Sequence, residues 1–75
     1  MGLRPEELRL RTRLATALKR ERKRLGWTQE KAAERAEMYL RHYQKLEGGT
    51  VNVTIRTLSR LCKGFAVDPR RLFEP

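Results

Sequence analysis

The chain has little with which to cross-link, bind metal or catalyse. Cys62 is its one cysteine and His42 its one histidine. A disulfide framework is therefore excluded, and a reducing compartment fits. One thiol and one imidazole cannot complete a tetrahedral zinc site, so no metal and no cofactor is expected. Neither a Gly-rich phosphate loop nor a Ser-His-Asp set is present, and no enzyme is expected. Long apolar runs are also missing: nothing approaches the roughly 20 apolar residues of a membrane span. The opening MGLRPEELRL lacks the apolar segment of a signal peptide. Glu6 stands where a myristoylation motif wants Ser or Thr. A cytoplasmic location without a membrane partner is the expectation.

Acid is scarce too. Nine Asp and Glu face 18 Lys and Arg, for a formal net charge of +9 over 75 residues. The sequence pI is near 10.9. So strong a positive excess has the electrostatic footprint of a polyanion binder. A solvated basic face, an acidic membrane surface or an acidic protein partner would show the same composition. A domain of this size buries only about 60% of its unfolded-chain surface. Dimerisation or a bound nucleic acid would widen that narrow margin.

What is present is helical periodicity. Arg4-Pro5-Glu6-Glu7 reads as a helix start, with proline at the first helical position and acid at the positive end of the dipole. Leu10, Leu14, Leu18 and Leu25 then share one face of a long helix ending by Leu25. Residues 1–10 form either its first turns or a loose basic arm, ahead of a domain over residues 11–75. Trp27 to Gly49 reads as two short helices joined by a tight turn. Thr28 caps the first, Gln29 to about Ala36. The second runs from about Leu40 to Leu46, and Gly48-Gly49 stops it. Thr54 caps the next helix. On it Ile55, Leu58, Leu61, Cys62 and Phe65 form a core-facing stripe that ends near Gly64. Asp68-Pro69 opens a last short helix or turn. No segment alternates like a strand. The expected fold is all-α, a compact bundle of four to five short helices around a central helix-turn-helix.

RKRLGWTQEKAAERA, RHYQKLEGG and NVTIRTLSRLCKGFAVDPRRLF together resemble the phage repressor and Cro type of helix-turn-helix domain, also called XRE-type and lambda-repressor-like. The resemblance covers roughly Leu18 to Phe73. The length and the tail also resemble, more weakly, the controller proteins of restriction–modification systems. The resemblance implies roles residue by residue. Gln29 would bond a phosphate and brace the recognition helix. Leu40, Arg41, Gln44 and Lys45 would read bases or contact backbone. Gly49, Thr50, Asn52 and Arg56 would meet phosphate, and Tyr39 and His42 are further candidates. Arg22 and Glu47 would form a partly buried ion pair. The chain departs from the family pattern at Glu37, where a glycine is usual, and at Tyr39, where a Ser or Thr cap is usual.

These readings converge on a sequence-specific regulator of transcription, a repressor binding double-stranded DNA as a homodimer on a pseudo-palindrome. Phe65, Leu72 and Phe73 are the candidate dimer surface. No small-molecule effector site is expected. Two rivals remain at this level: a protein–protein module such as an antitoxin of the same fold, and a nonspecific basic nucleic-acid binder.

Overall fold

The computed structural model describes residues 4–74. Helix α1 spans Pro5–Arg24, α2 Gln29–Arg35, α3 Leu40–Glu47 and α4 Ile55–Phe65, and a 3-10 helix, Pro69–Leu72, closes the fold. There is no strand among the described residues. The all-α bundle expected from periodicity is the fold found. Residues 1–3 of the expected N-terminal arm lie outside the described residues, as does Pro75. From Pro5 onward that segment is α-helix.

The ends of the helices follow from local chemistry. The Thr28 hydroxyl accepts from the Lys31 N–H, and the Thr54 hydroxyl from the Thr57 N–H. The Asp68 carboxylate accepts from the Arg70 N–H. Each side chain satisfies one of the N–H groups that a helix start leaves unpaired. At its C-terminus α1 closes with paired bonds, Gly26 N–H to the Lys23 carbonyl and Trp27 N–H to the Arg22 carbonyl. Gly26 supplies the left-handed residue, φ +72°, that this Schellman closure requires.

The helix α4 ends at Phe65, near Gly64 as the sequence suggests, but Gly64 itself has a packing role. It lies inside α4, and Ala66, at φ 56°, takes the left-handed position instead. A Cβ at Gly64 would stand 2.5 Å from the Arg35 carbonyl oxygen and 2.9 Å from the Ala36 nitrogen. The glycine lets α4 cross the C-terminal end of α2 at backbone contact.

The core gathers Leu14, Ala17 and Leu18 of α1, Ala32, Ala33 and Ala36 around α2, Tyr43 and Leu46 of α3, Leu61 and Phe65 of α4, and Leu72. Two alanines on the short helix α2 and a third at its C-cap leave space that large rings fill. Phe65 meets Trp27 edge-on at 5.4 Å between centroids, and Tyr43 lies 6.4 Å away on another side. Arg35 covers the outer face of Trp27 at 5.7 Å. Each such ring or leucine taken out of water contributes roughly 1.5–3 kcal/mol.

Three residues of the expected apolar stripes lie outside this core, Leu25 among them at the C-cap of α1. Leu10 is 52% exposed and Ile55 81% exposed. Burial on α1 begins only at Leu14, and α3 and the closing turn are the elements that pack against that helix. Ile55 is the first residue of α4, ahead of the point where the helix meets α2.

Candidate nucleic-acid interface

The turn that aims α3 is where the sequence leaves its family pattern, yet its geometry is regular. Glu37 sits at φ 55°. Its N–H donates to the Glu34 carbonyl at 3.1 Å, and the Met38 N–H donates to the Ala33 carbonyl at 3.0 Å. This is the same Schellman closure as at Gly26, held by a glutamate. Tyr39 then takes the N-cap position in extended conformation, φ −67° and ψ 144°, without a side-chain cap bond. Its ring is 88% exposed. The first N–H groups of α3 therefore lack the side-chain acceptor that Thr28 and Thr54 give theirs.

A hydrogen-bonded relay fixes α3 to the two helices before it. Arg22 donates to Glu47 through Nε at 2.6 Å and Nη2 at 3.2 Å, and through Nη1 to the Trp27 carbonyl at 3.1 Å. Gln29 Nε2 donates to the same carboxylate at 3.2 Å. Gln44 Nε2 donates in turn to Gln29 Oε1, also at 3.2 Å. Glu47 is 2% exposed. Burial pushes its pKa up, but the bonds from Arg22 and Gln29 outweigh it and hold the carboxyl below the ordinary glutamate value. The bond to Glu47 likewise raises Arg22. Burial drives the Tyr43 hydroxyl pKa upward, and neighbouring Glu47 pushes it further, so the ring stays neutral. Tyr43 is core, at 0% exposure.

On the outer side of α3, Arg41, His42, Gln44 and Lys45 are exposed. Leu40 is half-buried against the core, where it anchors the start of the helix. Gly49, φ +70°, ends α3: its N–H donates to the Leu46 carbonyl, and the Thr50 N–H donates to that of Lys45. The Thr50 hydroxyl also turns inward to the Lys45 carbonyl, at 3.3 Å. Asn52 accepts from Arg11 of α1. Arg56 is exposed in the first turn of α4. Arg41, His42, Gln44, Lys45, Thr50, Asn52 and Arg56 are thus exposed around α3 and the start of α4, while Gln29 and Leu40 stand partly behind them.

The expected dimer residues are placed otherwise. Phe65 and Leu72 are 2% and 0% exposed within the single chain, so neither has a surface to offer a partner. Phe65 lies on the core-facing stripe of α4, and Leu72 closes the same core, the alternative to a dimer surface that the sequence leaves open. Phe73 is half-buried.

One charged centre was not legible. Glu21 is 0% exposed, and its carboxylate accepts from Arg20 at 3.2 Å, Arg24 at 2.9 Å and Arg71 at 3.0 Å. Burial again pushes its pKa up, and the bonds from Arg71, Arg24 and Arg20 bring it down below the ordinary value. Arg20 also donates to the Arg71 carbonyl at 2.6 Å. The cluster pins the closing turn to α1. Its one sequence signal is that Glu21 is the only acid between Glu7 and Glu30, in a run of Lys and Arg.

Two short helices crossing through a tight turn, the second braced from behind and polar in front, define a helix-turn-helix unit. A family model described as a helix-turn-helix domain matches residues 13–73, and the chain belongs to that family. Comparisons with curated proteins and with solved structures return no match.

Proposed function

We propose that this chain is a sequence-specific double-stranded DNA-binding regulator of transcription, a repressor acting as a two-fold dimer on a pseudo-palindromic operator. The observation that carries this reading is the outer face of α3. It presents Arg41, His42, Gln44 and Lys45 without an acid among them, on a helix held from behind by Arg22, Gln29 and Glu47. Such a face suits the major groove. Arg41 can bond guanine O6 and N7, and Gln44 can bond adenine N6 and N7. Gln44 is already oriented by Gln29, so less of its freedom is lost on contact.

Phosphates supply the affinity. Arg56, Lys45, the Asn52 amide and the uncapped start of α3 form a rim of positive charge and N–H donors, while the Gly49 and Thr50 N–H groups are spent on the end of α3. Neutralising phosphates releases counterions, so log affinity should fall with log salt at a slope of about −0.9 per phosphate contacted. Selecting bound duplexes from a random pool, then titrating selected and random duplexes, tests the reading. A selected site should bind at least about a thousandfold tighter than random DNA. Equal affinity for every duplex would leave a nonspecific basic binder in its place.

A further inference from the structure

Arg11 stands on α1, 41 residues before Asn52 in the chain, yet its guanidinium reaches across to it. Both Nε and Nη2 donate to the Asn52 side-chain oxygen, at 3.0 and 2.5 Å. A guanidinium only donates, so the atom it meets must be the carbonyl oxygen of the amide. The amide is thereby oriented: Oδ1 faces Arg11, and the NH2 end faces away from it. Asn52 is exposed. Arg11 is half-buried, on the wall of a shallow apolar groove lined by Leu10, Leu14, Leu46, Val51 and Phe73. That groove steadies the guanidinium stem. The loop after α3 is thus held at two points, at Thr50 by the Lys45 carbonyl and at Asn52 by α1.

We propose that Arg11 is a positioning residue that locks Asn52 to present N–H donors, and only donors, to a DNA phosphate. This rests on the DNA-binding reading above. A phosphate oxygen accepts and never donates, so an amide free to flip would face it with the wrong end part of the time. The arginine acts through the asparagine, because the Nε–Nη2 edge of its fork is already spent on Oδ1.

A double-mutant cycle read by fluorescence anisotropy on selected and random duplexes tests this, with the thermal midpoint of each variant measured alongside. Arg11→Ala and Asn52→Ala should each weaken binding about ten- to hundredfold on every duplex alike, the range of a hydrogen bond to a charged group. The double variant should be no weaker than either single one. Losses that multiply would mean that Arg11 meets phosphate by itself, and would overturn the proposal. Asn52→Asp supplies the second arm and keeps the test alive if an alanine variant unfolds. Its carboxylate pairs with Arg11, so the thermal midpoint should stay at or above native, while affinity falls at least about tenfold as the donor becomes an anion. Native affinity in Asn52→Asp would equally overturn it. A native chain without salt-sensitive binding to any duplex would remove the DNA reading itself, and the role of Arg11 with it.

Discussion

Glu37 and Ala66 hold the left-handed conformation without being glycine, at φ 55° and 56°. The Cβ of an L-residue crowds the following carbonyl there, at roughly 1–2 kcal/mol. Glycine would relieve that crowding but loses more entropy on folding. Glu37→Gly and Ala66→Gly should each raise unfolding free energy in urea by about 0.5–1 kcal/mol. Sequence preference should not change in Glu37→Gly, since the closing bonds are backbone bonds. Gly64 is the opposite case. Helix propensity alone makes Gly64→Ala stabilising by about 1 kcal/mol. A Cβ only 2.5 Å from the Arg35 carbonyl oxygen overrides that, and the variant should lose about 1–3 kcal/mol in the same urea assay. On the outer face, Arg41→Ala should relax preference at one base pair at a cost of about 1–3 kcal/mol, whereas Arg56→Ala should weaken all duplexes alike and reduce the salt slope by about 1. Duplex titrations across salt distinguish the two; an unchanged preference in Arg41→Ala would move the base-reading role elsewhere on α3.

At the scale of elements, two buried carboxylates tie the helices together. Glu47 joins α3 to α1 and α2, and Glu21 joins the closing turn to α1. Removing one partner leaves a buried charge uncompensated, so Glu47→Gln should cost about 3–5 kcal/mol. Both carboxyls titrate below the ordinary glutamate value of 4.5. Their stabilisation is fully present above that value and is lost as pH falls through their lower folded values, where the native state must take up protons it binds weakly. Unfolding free energy measured from pH 6 to pH 2 should therefore drop below about pH 4.5, and Glu21→Gln should flatten that acid limb. The same two centres show what a sequence reveals and what it hides. Caps at Thr28, Thr54 and Asp68 are legible because each acts within three residues of itself. The outward face of Arg41, Gln44 and Lys45 is legible because a short helix with Tyr43 and Leu46 inward leaves it nowhere else to point. Arg71 on Glu21 and Arg11 on Asn52 are not legible, since those partners lie 50 and 41 residues apart. Periodicity marks a face on α1 and α4 but carries no information on how far the neighbouring helix extends, so Leu10 and Ile55 share those faces without reaching the core. The helix does end near Gly64, at Phe65, but that this glycine also marks a helix crossing has no signal in one dimension.

For the whole molecule, the size of α3 decides what a single copy can do. Eight residues rise about 12 Å, enough to follow only a few base pairs. Under the proposed DNA-binding function, a long operator would require two copies, with half-site centres about 34–36 Å apart on one face of the duplex. The surface joining them must be exposed in the single chain, which excludes Phe65 and Leu72. Ile55 is the most exposed large aliphatic side chain among the described residues, at 81%. It borders a shallow groove lined by Leu58, Ser59, Cys62 and Pro69, and it precedes Arg56 directly in the chain. A second copy seated there would bring the two α4 starts together, with the exposed Arg56 of each close by. Ile55→Glu should then behave as a monomer by sedimentation. Its thermal midpoint should hardly move, because an exposed substitution costs within about 0.5 kcal/mol. On duplexes carrying two half-sites its affinity should fall to that for one half-site, while the native chain keeps the advantage of both. Native sedimentation together with an undiminished two-site advantage in Ile55→Glu would place the dimer contact on another surface.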